Sequence, residues 1–409
     1  MVRILRAKRL VSNTPPLRSP ILFRITTVPV SIHLLLTGQS RFMSENGFEV
    51  FILSADDIER DIIIEEEDCQ HHIIPFTRTI TPWQDLKCLW YLIQVIRKLR
   101  PNIIHTHTPK AGLLGMLAGR FTNVPIRIHT IAGLPFMTAI GIKRQLLIAM
   151  EKLTYWGAQH VWPNSQSMLE FVRQQRLCPV EKLDIISHGS SNGIDLEQFS
   201  PAAIQADKLE LIKSTFNHDP NCRYILAVGR IVKDKGIPEL VEAFGKISRL
   251  NPTLRLLLIG PMEKERREEL LPSSTLMAIK TNEAIHHIYW TDEVAYYLYL
   301  SDILVHASHR EGFPNVPLQA GAMCCPIICS AIPGNVDIVT HEKTGLTFPA
   351  KDTEALRSCL ERSLKEPQQA KAMAQRLHQH IEQYFDRKII HQALLDKYTE
   401  LLAAEQLKR

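Results

Sequence analysis

The stretch YILAVGRIVKDKG occupies residues 224–236 and holds three structural signals in a row. It opens with the apolar run Tyr224–Val228, which has the length and composition of a buried strand. A glycine and the cations Arg230 and Lys235 follow, and an amphipathic helical pattern starts near Pro238. Because ligands bind at the carboxyl ends of strands in open α/β sheets, this stretch predicts a strand, a ligand-binding loop and a helix.

The same alternation of short apolar runs and helical patterns extends along the chain in both directions. It predicts a first set of strands at Ile21–Ile25, Glu49–Leu53, His72–Pro75, Asn102–His105, Ile126–Thr130, His160–Trp162 and Leu183–Ser187. It predicts a second set at Tyr224–Val228, Leu254–Ile259, His286–Tyr289, Ile303–His306, Pro326–Cys329 and Leu346–Phe348. Strands separated by helices indicate parallel sheets with crossover helices.

A chain of 409 residues is long enough for two domains with separate cores. We predict an α/β protein with an N-terminal Rossmann-like domain at 21–200 and a second one at 201–385, facing each other across a cleft. Residues 1–20 are expected to be a basic extension. The nearly continuous helical pattern of Gln368–Gln406 places a C-terminal helix at 386–409, which is expected to cross back to the first domain.

The positive charge is concentrated in the first half of the chain. Residues 1–200 carry 22 Lys and Arg against 17 Asp and Glu, whereas residues 201–409 carry 26 of each. Nine cations but no acidic residue lie between Asp85 and Glu151. This stretch is either a solvated basic face or a surface for phosphate groups or an anionic membrane leaflet. Nucleic acid is not an expected partner, because no nucleic-acid-binding motif is present.

Cysteine spacing and hydropathy exclude several other classes. The eight cysteines form no C-x-x-C pair, so neither a disulfide framework nor a zinc site is predicted. No uncharged apolar run reaches the length of about eighteen residues that a membrane span needs. We expect a cytoplasmic protein, attached at most peripherally to the inner face of the plasma membrane.

Arg230 and Lys235 are candidate ligands of a diphosphate. They follow a predicted strand at the mouth of a parallel sheet, together with Gly229. An arginine can make a bidentate contact and a lysine supplies a point charge, so the two suit a leaving group whose negative charge grows during reaction. The alternative is that both cations cap neighbouring helices or pair with surface acids.

A second candidate cluster, EGFPNVPLQ, spans residues 311–319 after the strand Ile303–His306. Asn315 is predicted to cap a helix, with Pro317 in its first turn. The free amides at this terminus favour anions. The carboxylate of Glu311 suits sugar hydroxyls and the carboxamide of Gln319 suits a ribose, unless the two are a loop acid and a surface residue. Gly312, Phe313 and Val316 complete the expected donor-binding set.

The pattern G-R-x4-K-G, followed about eighty residues later by E-G-F-x-N, resembles the retaining glycosyltransferases of family 4, which have the GT-B fold. The resemblance covers most of the chain and implies that Glu311, Lys235 and Arg230 carry the reaction. The family signature has a second glutamate where this sequence has Gln319. Many members also carry a histidine in a T-x-H-G turn, where this sequence has Ala132.

The N-terminal half is similar to bacterial enzymes that extend undecaprenyl-diphosphate-linked glycans. The similarity lies in the strings TTVPVS (26–31), HTHTPKAG (105–112) and SSNGID (190–195). We place Thr27, His107 and Lys110 on the acceptor side. The alternatives are a hydrogen-bonded core histidine at 107 and a surface cation at 110.

The resemblance implies transfer of a hexosyl or N-acetylhexosaminyl group from a nucleotide sugar, with UDP-sugars favoured, to a lipid-linked or polysaccharide acceptor. It implies retention of anomeric configuration, with the nucleotide sugar as co-substrate and no cofactor. Metal independence is expected because no D-x-D pair or metal-ligand cluster is present. The alternatives are a GT-B-like epimerase or phosphorylase and a non-catalytic nucleotide-sugar-binding protein.

Overall fold

The computed structural model describes residues 19–57, 60–77, 79–263 and 269–408. One sheet is formed by strands β1 to β6: Ile21–Ile25, Glu49–Ser54, Gln70–Ile73, Ile103–Thr106, Ile126–Ile131 and His160–Pro163. A second sheet is formed by β7 to β12: Arg223–Val228, Leu254–Ile259, Ile285–Ile288, Ile303–His306, Ile327–Ser330 and Leu346–Phe348. The predicted basic extension lies outside the described residues, except for 19 and 20.

Both sheets have the same parallel topology. Their strand orders are β3-β2-β1-β4-β5-β6 and β12-β11-β10-β7-β8-β9. The first strand of each set is therefore central, as in a Rossmann fold. In the second sheet β7 pairs directly with β10, so the loops after these two strands leave the same edge side by side.

Helices connect the strands and cover the two faces of each sheet. In the first half they are α1 to α7: Val30–Leu36, Gln39–Glu45, Arg60–Glu67, Pro82–Leu99, Pro109–Phe121, Gly141–Gly157 and Gln166–Gln174. In the second half they are α8 to α16: Ala206–Thr215, Ile237–Ser248, Ser273–Thr281, Val294–Leu300, Asn315–Ala322, Asn335–Ile338, Thr353–Lys365, Pro367–Tyr384 and Arg387–Gln406. Because helices cover both faces, the central strands are mostly buried; β1 is buried at all five positions and β7 at its four inner positions.

The chain passes between the two domains at two adjacent places. Ile194 lies on the outward crossing, and its N–H donates to the carbonyl oxygen of Phe385 over 2.8 Å. The N–H of Arg387, on the return crossing, donates to the carbonyl oxygen of Ile194 over 2.9 Å. Helix α16 then packs on the first domain, where the Tyr398 hydroxyl contacts His105 Nδ1 at 2.5 Å. The return of the C-terminal helix, expected from the sequence, is confirmed.

Two sequence-based assignments are corrected. Leu183–Ser187 is not a strand; only Leu183 forms a single bridge, to Val161 at the edge of the sheet. Asp184 and Ser187 are exposed, and Ser187 is left-handed (φ 51°), so the segment cannot continue the ladder. The helical pattern of Gln368–Gln406 is two helices, because the chain turns at Phe385 and the Asp386 side chain caps α16 by accepting from the N–H of Lys388.

The close backbone contact at the crossing between the domains can be tested with two glycine substitutions. Gly193 has φ +63°, and a β-carbon there would lie 2.6 Å from the carbonyl oxygen of Phe385. We expect Gly193→Ala to lower the thermal unfolding midpoint, because the backbone conformation and the close approach both exclude a side chain. The matched control is Gly245→Ala in α9, where nothing lies within 4 Å. It should leave the midpoint unchanged or raise it, since alanine favours a helix by about 1 kcal/mol over glycine. Equal midpoints for the two variants would contradict this account of the crossing.

Candidate active site

The loop after β7 carries Arg230 and Lys235 into the cleft. Gly229 directly follows the strand, and its N–H donates to the carbonyl oxygen of Ile259 over 2.9 Å. Residues Lys233–Lys235 form a 3₁₀ turn before α9 starts at Ile237. The order strand, loop and helix predicted for this stretch is thus present, with both cations at the carboxyl edge of the sheet.

Glu311 is the centre of the site. It lies in the loop after β10, and its Oε1 is 2.5 Å from Lys235 Nζ and 3.4 Å from His306 Nε2. The Glu311 side chain is 14% exposed. Burial alone would raise the pKa of the Glu311 carboxyl. The Lys235 ammonium and the His306 imidazole outweigh this effect and hold the pKa well below its usual range. Glu311 is therefore a carboxylate at neutral pH.

His306 was not identified as a site residue from the sequence. It is the last residue of β10, and its Nδ1 lies 3.1 Å from Asn335 Oδ1. The Asn335 amide nitrogen donates to the carbonyl oxygen of Ser330 over 2.9 Å, which fixes the amide oxygen toward the histidine. The position of His306 at the carboxyl end of a predicted strand was the available signal, whereas nothing local marks Asn335.

Further contacts hold the β7 and β10 loops together. The N–H of His309 donates to the carbonyl oxygen of Asp234 over 2.8 Å. The Arg310 guanidinium donates to the Asp234 carboxylate over 3.0 Å, and His309 Nε2 lies 3.0 Å from Glu239. The two loops therefore form one platform, in which the separation between Lys235 and Glu311 is set by their neighbours as well as by their own charges.

Arg230 is also paired in this structure. Its guanidinium contacts the carboxylate of Glu269 and lies 4.0 Å from that of Glu263. The arginine side chain is 41% exposed, so these contacts are close to solvent. The alternative considered from the sequence, pairing with acids, thus occurs, and a diphosphate would have to replace these carboxylates at Arg230.

The N-terminal domain closes the opposite side of the site. Ala132, Gly133 and Leu134, after β5, line a cavity of about 100 Å³ together with Arg230, Asp234, Lys235, Arg310, Glu311 and Gly312. Gly312 lies so close to the carbonyl oxygen of Ala132 that a β-carbon at 312 would collide with it. The family resemblance implies a histidine at position 132. This chain has Ala132 there, and the carbonyl oxygen of Ala132 lies against Gly312.

The start of α12 differs in detail from the expectation. Asn315 is the first helical residue and not the cap, which is Pro314. The Asn315 side chain instead donates to the carbonyl oxygen of Leu34 in the other domain over 3.0 Å. Phe313 is buried against Phe385, with ring centroids 5.2 Å apart. Val316 and Gln319 are half-buried, and Gln319 lies about one turn into the helix.

The residues placed on the acceptor side are already engaged with the protein. The Thr27 and Thr108 hydroxyls are 2.8 Å apart and join the ends of β1 and β4. Lys110 Nζ lies 2.5 Å from Asp85 and donates to the Thr77 hydroxyl over 2.7 Å. An acceptor phosphate at Lys110 would have to displace Asp85.

His107 is a buried residue beside a buried arginine. Its Nε2 is 3.2 Å from the guanidinium of Arg24, and both side chains are at most 3% exposed. Burial, followed by the charges of Arg24 and His129, lowers the pKa of His107 well below its usual value, so the ring is neutral at physiological pH. These contacts match the alternative of a hydrogen-bonded core histidine.

In the part of the chain that the structure describes, no three His, Cys, Asp or Glu side chains are grouped so that they could hold a metal ion. Across the same residues, no helix has both the length and the hydropathy required to cross a bilayer.

The fold and the site together define a class. Two Rossmann-like sheets face each other, and a cavity between their carboxyl edges contains a lysine–glutamate pair and an arginine. This is the architecture of GT-B proteins.

Comparison with known proteins identifies the family. The family described as "Glycosyl transferases group 1" matches residues 209–380, and the "Glycosyl transferase 4-like domain" matches residues 36–189. The capsular polysaccharide biosynthesis glycosyltransferase CapM of Staphylococcus aureus is 31% identical over 392 residues, which cover 95% of this chain and 99% of that protein. The chain belongs to the group 1, family 4-like glycosyltransferases.

Two more similarities agree with this assignment. The UDP-Gal:alpha-D-GlcNAc-diphosphoundecaprenol alpha-1,3-galactosyltransferase of Escherichia coli is 27% identical over 292 residues, covering 70% of this chain and 72% of that protein. A solved glycosyltransferase from Rickettsia africae has a TM-score of 0.76 at 19% identity, covering 94% of this chain and 99% of that one. At such low identity the solved structure supports the fold alone.

The ion pair predicts a pH-dependent stability difference. Lys235→Met would leave the Glu311 carboxylate in the cleft without its ammonium partner, at a cost of up to about 3 kcal/mol. Wild-type Glu311 has a depressed pKa, so it stabilises the fold above the usual carboxyl pKa and loses this effect as the pH falls. In the variant only His306 remains to oppose the effect of burial, so the pKa of Glu311 rises relative to wild type and the ionised carboxylate costs stability at high pH. The difference in unfolding midpoint between wild type and variant should therefore shrink from pH 8 to pH 5 (about these values).

The control for this experiment is the double variant Lys235→Met/Glu311→Gln. It has no unpaired charge and should recover most of the lost midpoint at pH ~8. Two outcomes would contradict a stabilising role of the pair. The unfolding midpoint of Lys235→Met could stay below that of wild type by the same amount at every pH, or the second substitution could fail to restore it.

Proposed function

We propose that this glycosyltransferase moves a hexosyl or N-acetylhexosaminyl group from a nucleotide sugar to a lipid-diphosphate-linked acceptor, with retention of anomeric configuration. The observation that carries the proposal is the Lys235–Glu311 pair in a cavity between two Rossmann-like domains. A UDP-sugar is the favoured donor. The name of the Escherichia coli relative, which includes a UDP-sugar and a diphosphoundecaprenol acceptor, supports both choices.

The charges of the side chains in the cavity suggest how the donor would be bound. Arg230 and Lys235 would bind the diphosphate, with the amides at the start of α12 as further donors. Glu311 would bind hydroxyls of the sugar. Its depressed pKa supports a role as hydrogen-bond acceptor, because a carboxylate that stays ionised at neutral pH cannot act as a general acid. Its contribution is then to orient the sugar for attack.

The proposed reaction needs no protein nucleophile. The bond between the anomeric carbon and the diphosphate breaks while the acceptor oxygen bonds to the same face of that carbon. The acceptor hydroxyl gives its proton to an oxygen of the departing diphosphate, so charge and atoms balance. Lys235 and Arg230 stabilise the negative charge that grows on the leaving group, and this supports a metal-independent mechanism.

We also propose that the protein binds the inner face of the plasma membrane through α4, α5 and α6. These helices pack side by side on the first domain. Large apolar side chains project from this face, and the most exposed are Trp83 (87%), Ile140 (85%) and Ile142 (86%). Lys87, Lys143 and Arg144 are exposed among them, within the stretch that lacks acidic residues. Apolar and basic side chains on one face suit an anionic leaflet.

Transfer assays test the chemistry. We expect glycosyl transfer from a UDP-sugar to a prenyl-diphosphate-linked sugar, in the presence of EDTA, with the anomeric configuration retained when the product is analysed by NMR. Glu311→Gln and Lys235→Ala should each lower kcat by about a hundredfold or more, because both act on the transition state. The control is Lys233→Ala on the same loop. Near-normal transfer by folded Lys235→Ala would contradict the diphosphate assignment.

The same assay separates the other possibilities. Turnover of the UDP-sugar without acceptor, giving an epimer or a sugar phosphate, would replace the transferase proposal with an epimerase or phosphorylase. Binding of UDP-sugars with no turnover of any kind would indicate a non-catalytic protein.

Sedimentation with liposomes tests the membrane surface. Wild type should bind vesicles rich in phosphatidylglycerol at low salt and release them at high salt, because the contact is partly electrostatic. Trp83→Glu/Ile142→Glu should abolish binding without reducing donor affinity. The matched control is Leu250→Glu/Met277→Glu, which alters side chains of 81% and 62% exposure on the second domain. Equal binding by the two variants would exclude the α4–α6 face.

A further inference from the structure

A hydrogen-bonded contact joins the two domains beside the cavity. Ser167 is the second residue of α7 in the first domain, and Asp337 lies in α13 of the second domain. The Ser167 N–H donates to Asp337 Oδ1 over 2.9 Å, and the Ser167 hydroxyl donates to Asp337 Oδ2. The N–H of Gly334 completes the cluster by donating to the same carboxylate over 3.0 Å.

The contact satisfies the start of α7 from across the cleft. The first N–H groups of a helix have no partner within it and carry partial positive charge. Ser165, on the same domain, accepts from the N–H of Met168 over 3.1 Å. The N–H of Ser167 is bound by the other domain, through Asp337. A helix N-terminus favours negatively charged groups, so the carboxylate of Asp337 makes charge-assisted hydrogen bonds there.

The cluster is continuous with the donor cavity. Gly334 packs so closely on the carbonyl group of Gly312 that a β-carbon at 334 would collide with it. Gly312 in turn follows Glu311 and touches the carbonyl oxygen of Ala132 in the first domain. Ser167, Asp337, Gly334 and Gly312 therefore form an unbroken series of contacts that ends beside Glu311.

We propose that Asp337 and Ser167 latch the two domains in the closed arrangement and are positioning residues for the transfer reaction. The proposal rests on the proposed function for its kinetic part. Each domain has its own sheet and core, so the latch is not needed for folding. Its role is to bring Ala132–Leu134 against Glu311 and so to complete a cavity that neither domain forms alone.

The decisive variant is Ser167→Asp. An acidic residue in the first turn stabilises α7 itself, so the first domain should keep its stability. In the closed arrangement, however, the new carboxylate would face that of Asp337, which opposes closure. We expect kcat/KM to fall about tenfold or more through kcat, while affinity for UDP by calorimetry stays within about twofold. Small-angle scattering in the presence of UDP should give a larger radius of gyration than for wild type.

A second substitution at Asp337 distinguishes charge repulsion between the two carboxylates from a general loss of structure. In Ser167→Asp/Asp337→Asn the amide can donate to the new carboxylate, so the radius of gyration and kcat should return toward wild-type values. Ser167→Asn, which adds bulk without charge, is the matched control and should have a smaller effect than Ser167→Asp. A Ser167→Asp protein that is as compact as wild type with UDP, or a double variant that is not rescued, would overturn the proposal. Scattering decides this even if wild type transfers no sugar, so failure of the latch and failure of the proposed function are separable.

Discussion

The contact between Lys235 and Glu311 is the interaction on which the site depends. The two residues are 76 positions apart, yet their charged groups lie 2.5 Å apart because β7 and β10 are neighbours in the sheet. Both loops leave the carboxyl edge, so parallel topology brings the two charges together. Lys235, together with His306, holds the pKa of the Glu311 carboxyl low in a cleft where burial would otherwise raise it. The site thus holds a charged hydrogen-bond acceptor and an ammonium cation at one place.

Much of this arrangement could be predicted from the sequence, for identifiable reasons. Buried parallel strands are short apolar runs, and such runs predicted the twelve strands found among the described residues to within a few positions. The rule that ligands bind after such strands identified Arg230, Lys235 and Glu311 before any contact was known. The membership in the glycosyltransferase family and the return of the C-terminal helix were likewise expected and are confirmed. The roles assigned to individual site residues stay predictions.

The expectations that failed depend on tertiary partners. Leu183–Ser187 has the composition of a strand, but a strand also needs a neighbour along its whole length, and there only Leu183 meets β6. Asn315 is a favourable cap by residue type, yet its side chain reaches Leu34 in the other domain. The acceptor role of Lys110 stays a prediction, but it too depends on distant partners, because Asp85 and Thr77 contact its ammonium group. In each case the residue type suits the predicted role. The partner that decides the outcome, however, is distant in the sequence, so a local pattern does not reveal it.

The cleft also shows why side-chain size matters as much as charge. Gly312 allows backbone to meet backbone between the two domains, since a β-carbon there would collide with the carbonyl oxygen of Ala132, and Gly334 allows the same close approach to Gly312 within the second domain. Close approach of this kind excludes water from one side of the cavity, which strengthens the electrostatic contacts of Glu311. Ala132 is likewise a small residue, and it lines the cavity from the first domain. At the position where the family pattern has a histidine, the cavity is therefore lined by Ala132 and the backbone of Gly312, and its charged groups come from the loops that carry Lys235 and Glu311.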